Sequence, residues 1–286
     1  MDNRSAIRDF LTSRRAKITP ERAGLTSYGS RRVPGLRRTE VAQLAGVSVE
    51  YYSRLERGNL TGVSDSVLDA LARALHLDEA ERNHLHDLAR AAGPAARKRH
   101  RAAPQGVRPN VQRLLDAMTQ VPAVVMNGRT DALATNQLGR ALFAPVYAGS
   151  TRPANFARFT FLDPHAQDFW ITWDRAADDT VELLRAQAGR DPYDKALTDL
   201  IGELSTRSNE FRSRWAAHDV RLHRTGIKHF RHPAIGELHL TFEVLNLATD
   251  DDLSLIAYGT EPGAPSEDGL RLLASWSATQ DQDASR

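Results

Sequence analysis

Between Leu36 and Gly58 the chain sets Arg37 and Arg38 at one end of two short apolar-patterned segments, and Arg54 and Arg57 near the other. Guanidinium groups at helix ends are suited to phosphate oxygens, and one on a protruding helix face is suited to a guanine edge. The apolar spacing predicts helices over 38–45 and 49–57, joined by Ala45-Gly46-Val47-Ser48. Val41 and Leu44 are expected on the inner side of the first helix. Ala42 and Ala45 are small enough to let the second helix cross closely. Gly46 supplies the backbone freedom of a tight turn, and Val47 fills the angle between the helices. Ser48 is a helix cap, Tyr52 and Leu55 face inward, and Gly58 stands where a C-terminal glycine cap is expected.

That assignment leaves Val49, Glu50, Tyr51, Ser53 and Arg54 facing outward. A helix presented this way fits the major groove, its N-terminal residues nearest the base edges. Arg54 is matched to guanine, Glu50 to the cytosine amino group and Val49 to the thymine methyl. Arg37, Arg38 and Arg57 are matched to phosphates, setting register and affinity rather than sequence. The competing reading is a helical hairpin with a charged, solvated face. The whole pattern, arginines at both ends included, favours DNA.

A second set of residues lies far downstream. Trp215, His218 and Arg212 share a helix face at three-residue spacing and offer a ring, a titratable donor and a cation to an acid or carbonyl group. All four tryptophans (Trp170, Trp173, Trp215 and Trp276) lie in the C-terminal part, with Phe156, Phe159, Phe161 and Phe169 among them. Rings with a few polar groups line small-molecule pockets, although core packing is the commoner use of any single ring. Phe159, Trp173, Asn136 and Arg140 complete the candidate ligand set, the last two with plain alternatives as a helix cap and a solvated charge. Catalytic signatures are lacking: there is no phosphate loop, nucleophile elbow or dinucleotide glycine pattern. With no cysteine in the chain, thiolate metal sites and a cysteine nucleophile are excluded. His84 and His86 do not face one another on a helix, and His229 with His232 lacks further ligands, so no catalytic residue, metal or cofactor is expected.

The elements that must position these groups follow from periodicity. Helices are expected at 6–17, after Ser64 and at 79–91, with a basic loop at 28–35. Gly93-Pro94 opens a stretch of exposed basic linker to residue 108. Beyond it, a helix begins at Pro109. Strands at 123–127 and 132–135 flank an Asn-Gly-Arg turn. Helices are expected at 136–143, 174–188, 191–205 and 209–217, strands at 221–231, 237–247 and 253–259, and a last helix at 267–277. Two strands, then helices, then three strands describe an α+β domain on one antiparallel sheet. The charge divides the same way: residues 1–110 hold 20 Lys and Arg against 12 Asp and Glu, a net +8, and the remainder is net −6. Only the first part is built to meet a polyanion. A polar start and the lack of a membrane-length apolar run point to the cytoplasm, with no membrane partner.

The residues also carry a resemblance. The stretch from Leu36 to Gly58 resembles the λ-repressor-like helix-turn-helix of the Xre family. Nearly the whole chain is similar to the MmyB-like actinobacterial regulators, through NQLGRAL at 136–142, ARFTFLD at 157–163, AGRDP at 188–192, WAAHDV at 215–220 and PGAPS at 262–266. The resemblance implies an all-α helix-turn-helix domain (1–92), a linker (93–108) and an α+β PAS-like ligand-sensing domain (109–280). It implies binding of a double-stranded DNA operator and a small, partly apolar effector of fatty-acid-like kind; two recognition helices one duplex turn apart lead to the expectation of a homodimer. One departure stands out: Arg38 occupies a position where many Xre-type proteins carry a glutamine that braces the recognition helix. A phosphate contact survives that change, but a glutamine-dependent base contact does not. An oligomerisation platform without ligand, or an enzyme domain, stays open for the C-terminal part.

Overall fold

The computed structural model describes residues 3–25, 35–93, 106–217, 225–250 and 252–284, with side chains to residue 277. They form two compact units: residues 1–101, 185–201 and 214–221 in the first, and the remainder in the second. Most of the expected basic loop, linker residues 94–105 and positions 221–224 of the expected third strand lie outside the described residues. Among the described residues no helix is long and apolar enough to cross a membrane.

The first unit contains α1 (Asn3–Lys17), α2 (Arg38–Leu44), α3 (Val49–Glu56), α4 (Asp65–Ala74) and α5 (Glu79–Ala91). Local chemistry sets several of these limits. The Ser48 hydroxyl accepts the Tyr51 N–H at 3.0 Å and starts α3. At α5, the Asp78 carboxylate accepts the Glu81 N–H at 2.8 Å while Glu81 accepts the Asp78 N–H at 3.1 Å, a reciprocal cap. Ile7, Phe10 and Leu11 of α1 meet Val41, Tyr52, Leu55, Leu71, Leu85 and Leu88 in one buried core, each large side chain contributing roughly 1.5–3 kcal/mol. Gly58 ends the segment after α3 at φ +94°, where an added Cβ would fall 2.3 Å from the Arg4 carbonyl oxygen. No other residue fits that approach of α1. One expectation is corrected here: Leu44 is 37% exposed rather than inward. The buried Val41, Ala42 and Ala45 cluster on one side of α2, and Leu44 lies about 100° of helical rotation away from them.

The second unit is built on one antiparallel sheet of five strands in the order β2-β1-β5-β4-β3. The strands are β1 (Ala123–Asn127), β2 (Ala132–Thr135), β3 (Thr225–His232), β4 (Gly236–Asn246) and β5 (Leu253–Gly259). Along β4, Leu238, Leu240 and Phe242 are buried while Glu237, His239 and Thr241 are exposed, the period-two pattern of a half-covered sheet. One face carries α6 (Pro109–Ala117), whose Val111 and Leu115 pack on Ala123, Val125, Leu253 and Leu255.

Between β2 and β3 the chain forms α7 (Gln137–Leu142), α8 (Ala144–Ala148), α9 (Phe156–Leu162), α10 (Ala166–Phe169), α11 (Trp173–Arg190), α12 (Lys195–Arg207) and α13 (Asn209–Ala216); α14 (Pro265–Ala284) follows β5. The β1–β2 turn is tied to the start of α9. Asp131 accepts from Asn127 at 2.9 Å and from Asn155 at 2.8 Å, and the Thr130 hydroxyl accepts the Ala157 N–H. That knot positions Phe156 and Phe159 over the aromatic core.

Candidate nucleic-acid interface and sensing core

In the first unit, α2 and α3 are joined by four residues, with Gly46 in the left-handed region at φ +65°. Tyr52 and Leu55 are fully buried, which fixes the rotation of α3. Glu50 and Arg54 are then exposed, and Val49, Tyr51 and Ser53 are partly so. The Arg54 guanidinium lies over the Tyr51 ring at 4.9 Å. Arg37 and Arg57 are exposed at the two ends. The Arg37 backbone N–H donates to the Glu40 carboxylate at 2.6 Å, leaving its guanidinium on the surface.

Arg38 is used differently from the expectation of a phosphate contact alone. Its Nε donates to Glu56, a carboxylate only 1% exposed at the end of α3. That bond, with the attraction of the same carboxylate, raises the Arg38 pKa further above its ordinary value. Glu56 also accepts from Arg15 Nε of α1 at 2.6 Å and from the Tyr52 hydroxyl at 3.4 Å. Burial first, and the Glu56 charge second, push the Tyr52 phenol well above its usual range, so it stays a donor. Arg15 reaches on to the Leu36 carbonyl at 2.9 Å. One buried acid thus ties α1, α2 and α3 together. Sequence reasoning missed Glu56; its signal was an acidic residue four after Tyr52 and adjacent to Leu55, on the inner face.

In the second unit, Phe143 is the centre of an aromatic cluster. Its ring meets Phe156 at 5.0 Å, Tyr258 at 5.2 Å, Phe230 at 5.9 Å and Phe169 at 6.4 Å, all edge-to-face. Phe159 packs on Phe169 at 5.6 Å. Trp170 packs on Phe169 at 5.0 Å and on Phe230 at 5.3 Å. Its indole Nε1 is buried with no hydrogen-bond partner among the described residues. Burial pushes the Tyr258 phenol well above its ordinary pKa. His232, on the same face, is buried. Its Nε2 lies 3.1 Å from the Ala141 carbonyl and its Nδ1 accepts the Ala234 N–H at 3.2 Å. Burial lowers its pKa against the pull of that carbonyl, and the two contacts are both met by a ring carrying its proton on Nε2.

The expected ligand residues are not brought to one place. Asn136 is buried and fully committed. Its Oδ1 accepts from Gly139 at 2.7 Å and Ala123 at 3.0 Å, and its Nδ2 donates to Met118 at 2.6 Å and Val121 at 2.7 Å. Arg140 is exposed, over the Tyr147 ring. Trp173 donates from Nε1 to the Thr160 carbonyl at 2.9 Å and packs on Phe161. Arg212 bonds Asn209 on the surface, and Trp215 carries the Arg185 guanidinium at 4.3 Å. His218 lies outside the described residues. Of the set, Phe159 belongs to the aromatic cluster and Trp173 packs against it. Phe143, Phe230 and Tyr258 were not singled out from sequence, because each is an isolated ring until the sheet and α7 assemble them.

Residues 107–273 match the model of the MmyB-like transcription regulator ligand binding domain, and residues 6–85 match a helix-turn-helix domain model. No curated protein matches the chain.

Proposed function

Because the chain belongs to the MmyB-like transcription regulators and joins their ligand-binding domain to a helix-turn-helix, we propose that it reads a double-stranded operator through α3 and senses a small, largely apolar molecule in the aromatic cluster. Its architecture is that of a DNA-binding transcription regulator. The finer reading is carried by Trp170: an indole N–H without an acceptor, surrounded by Phe159, Phe169 and Phe230. A buried donor left unmet costs about 1–3 kcal/mol, and a ligand with an apolar body and one carbonyl or carboxylate oxygen meets it. A fatty-acid-like effector has this chemistry. The rings are in direct contact, edge-to-face or tilted, so binding parts them, and that rearrangement is the ligand's leverage on the protein.

The regulator acts in the cytoplasm as a homodimer, with two α3 helices about one duplex turn apart. The test is titration of the full-length protein with decanoate, read by tryptophan fluorescence, beside Trp170→Phe. Saturable binding by the parent, weakened about tenfold or more in the variant by loss of the donor, is the expected outcome. Equal binding by both, or none by either, removes the Trp170 reading. A dimer-sized species by sedimentation supports the two-fold arrangement, and a monomer at micromolar concentration contradicts it.

A further inference from the structure

The first unit holds a cavity separate from the aromatic cluster. It is a partly open cleft, with about 520 Å³ of non-atom space in and before it, open solvent included. Phe10 and Asn3 of α1, His84 of α5, Arg185, Leu197 and Trp215 form its walls. Three flat groups face this space. The His84 ring stands edge-on to Phe10 at 5.0 Å, and Trp215 lies beneath the Arg185 guanidinium at 4.3 Å. The approach of residue 189 to the His84 ring is close enough that a Cβ there would fall 2.5 Å from Cε1. Glycine at that position therefore keeps His84 at the wall.

Asn3 supplies the polar mark. It is 9% exposed, its Nδ2 donates to the Leu88 carbonyl at 3.3 Å, and that bond fixes which end of the amide is which. Its Oδ1 is buried with no donor among the described residues. A buried acceptor of this kind is normally satisfied, and Asn3 lines the cavity, so a donor bound there meets Oδ1 while Nδ2 keeps the Leu88 carbonyl.

We propose that this cavity is a second small-molecule site, for a flat aromatic molecule bearing an N–H donor: the ring lies among Phe10, His84 and Trp215, and the N–H meets Asn3 Oδ1. The apolar walls give affinity, and the amide oxygen gives selectivity for a donor. A molecule held there touches α1 and α5, which share the core that carries the recognition helix. Its binding is linked to DNA affinity to the extent that it favours one arrangement of that core.

The test uses the full chain with indole and indene, which share size and flatness and differ in the N–H. Ligand-observed NMR titration is expected to give saturable indole binding, with indene about tenfold weaker or more. Asn3→Leu erases the difference between the two. Thr198→Trp, at the exposed rim of the cavity, weakens both without touching the core. Trp170→Phe changes neither, which separates this site from the decanoate site. Absence of saturable indole binding, equal binding of indole and indene by the parent, or unaltered indole binding by Thr198→Trp overturns the proposal.

Discussion

Replacing Glu56 by Gln removes one charge and almost no volume from the joint between α1, α2 and α3. Its two cationic partners are not equivalent: the Arg15 side chain is 14% exposed and Arg38 is 54% exposed. Water reaches Arg38 and screens it, so its share is below about 1 kcal/mol. Arg15 is left as a mostly buried cation facing a neutral amide. Breaking a buried pair from one side costs about 3–5 kcal/mol, and the retained Gln oxygen, still able to accept, brings the expected loss to about 2–3 kcal/mol. Against a total stability of about 5–15 kcal/mol, the domain stays folded but opens more often. The assay is native-state hydrogen exchange on the full-length protein, followed at the amides of α1 and α3. A loss of that size lowers protection there by about 30- to 150-fold and leaves β4 and β5 unchanged. Arg38→Ala lowers protection by about fivefold or less. Unchanged protection in Glu56→Gln, or an equal effect from Arg38→Ala, would refute the reasoning.

Gly58→Ala places a Cβ against the Arg4 backbone at a positive φ, and is expected to cost more than about 1 kcal/mol, seen as a lower midpoint in the first thermal transition; an unchanged midpoint contradicts the close approach. Arg37→Ala and Arg57→Ala should each weaken binding to all duplexes alike and reduce the slope of log K against log salt by about one, and an unchanged slope removes that residue from the phosphate contacts. His232 and His229 are both held below their ordinary pKa of 6.5, His232 by burial and His229 by burial with help from His239 and Arg175. Above that pH both the folded and unfolded chains are neutral at these rings. As pH falls below 6.5 the unfolded chain takes up protons first, so the sheet unit loses stability there. Urea midpoints at pH 7.5 and 5.5 check this, and Phe in place of His232 should flatten the dependence.

The elements with clear boundary or alternation signals were legible: α5, β1, β2 and β5 stand at the expected residues, each marked by a cap, a turn or an alternating run. The helices α8, α9 and α10 were not, because four to seven residues are too few to show a period. The recognition helix could be read because Ser48, Tyr52, Leu55 and Gly58 fix its ends and its rotation. Its brace could not, since Glu56 meets Arg15 across 41 positions of sequence. The aromatic cluster was hidden for the same reason. Phe143, Phe230 and Tyr258 come from α7's end, β3 and β5, and only the strand order brings them together. Trp215, by contrast, shares a helical repeat with Arg212 but meets Arg185, a partner thirty residues earlier.

The central claim is that the outer face of α3 reads base edges. The direct test is to select an operator from a random duplex library with the full-length protein, then compare its affinity with that of an unrelated duplex at fixed salt for the parent and Arg54→Ala. Loss of one bidentate guanine contact lowers the preference by about 5- to 150-fold while affinity for the unrelated duplex falls little. A preserved preference in Arg54→Ala, together with its loss on replacing exposed Arg82 of α5, would place the reading surface elsewhere.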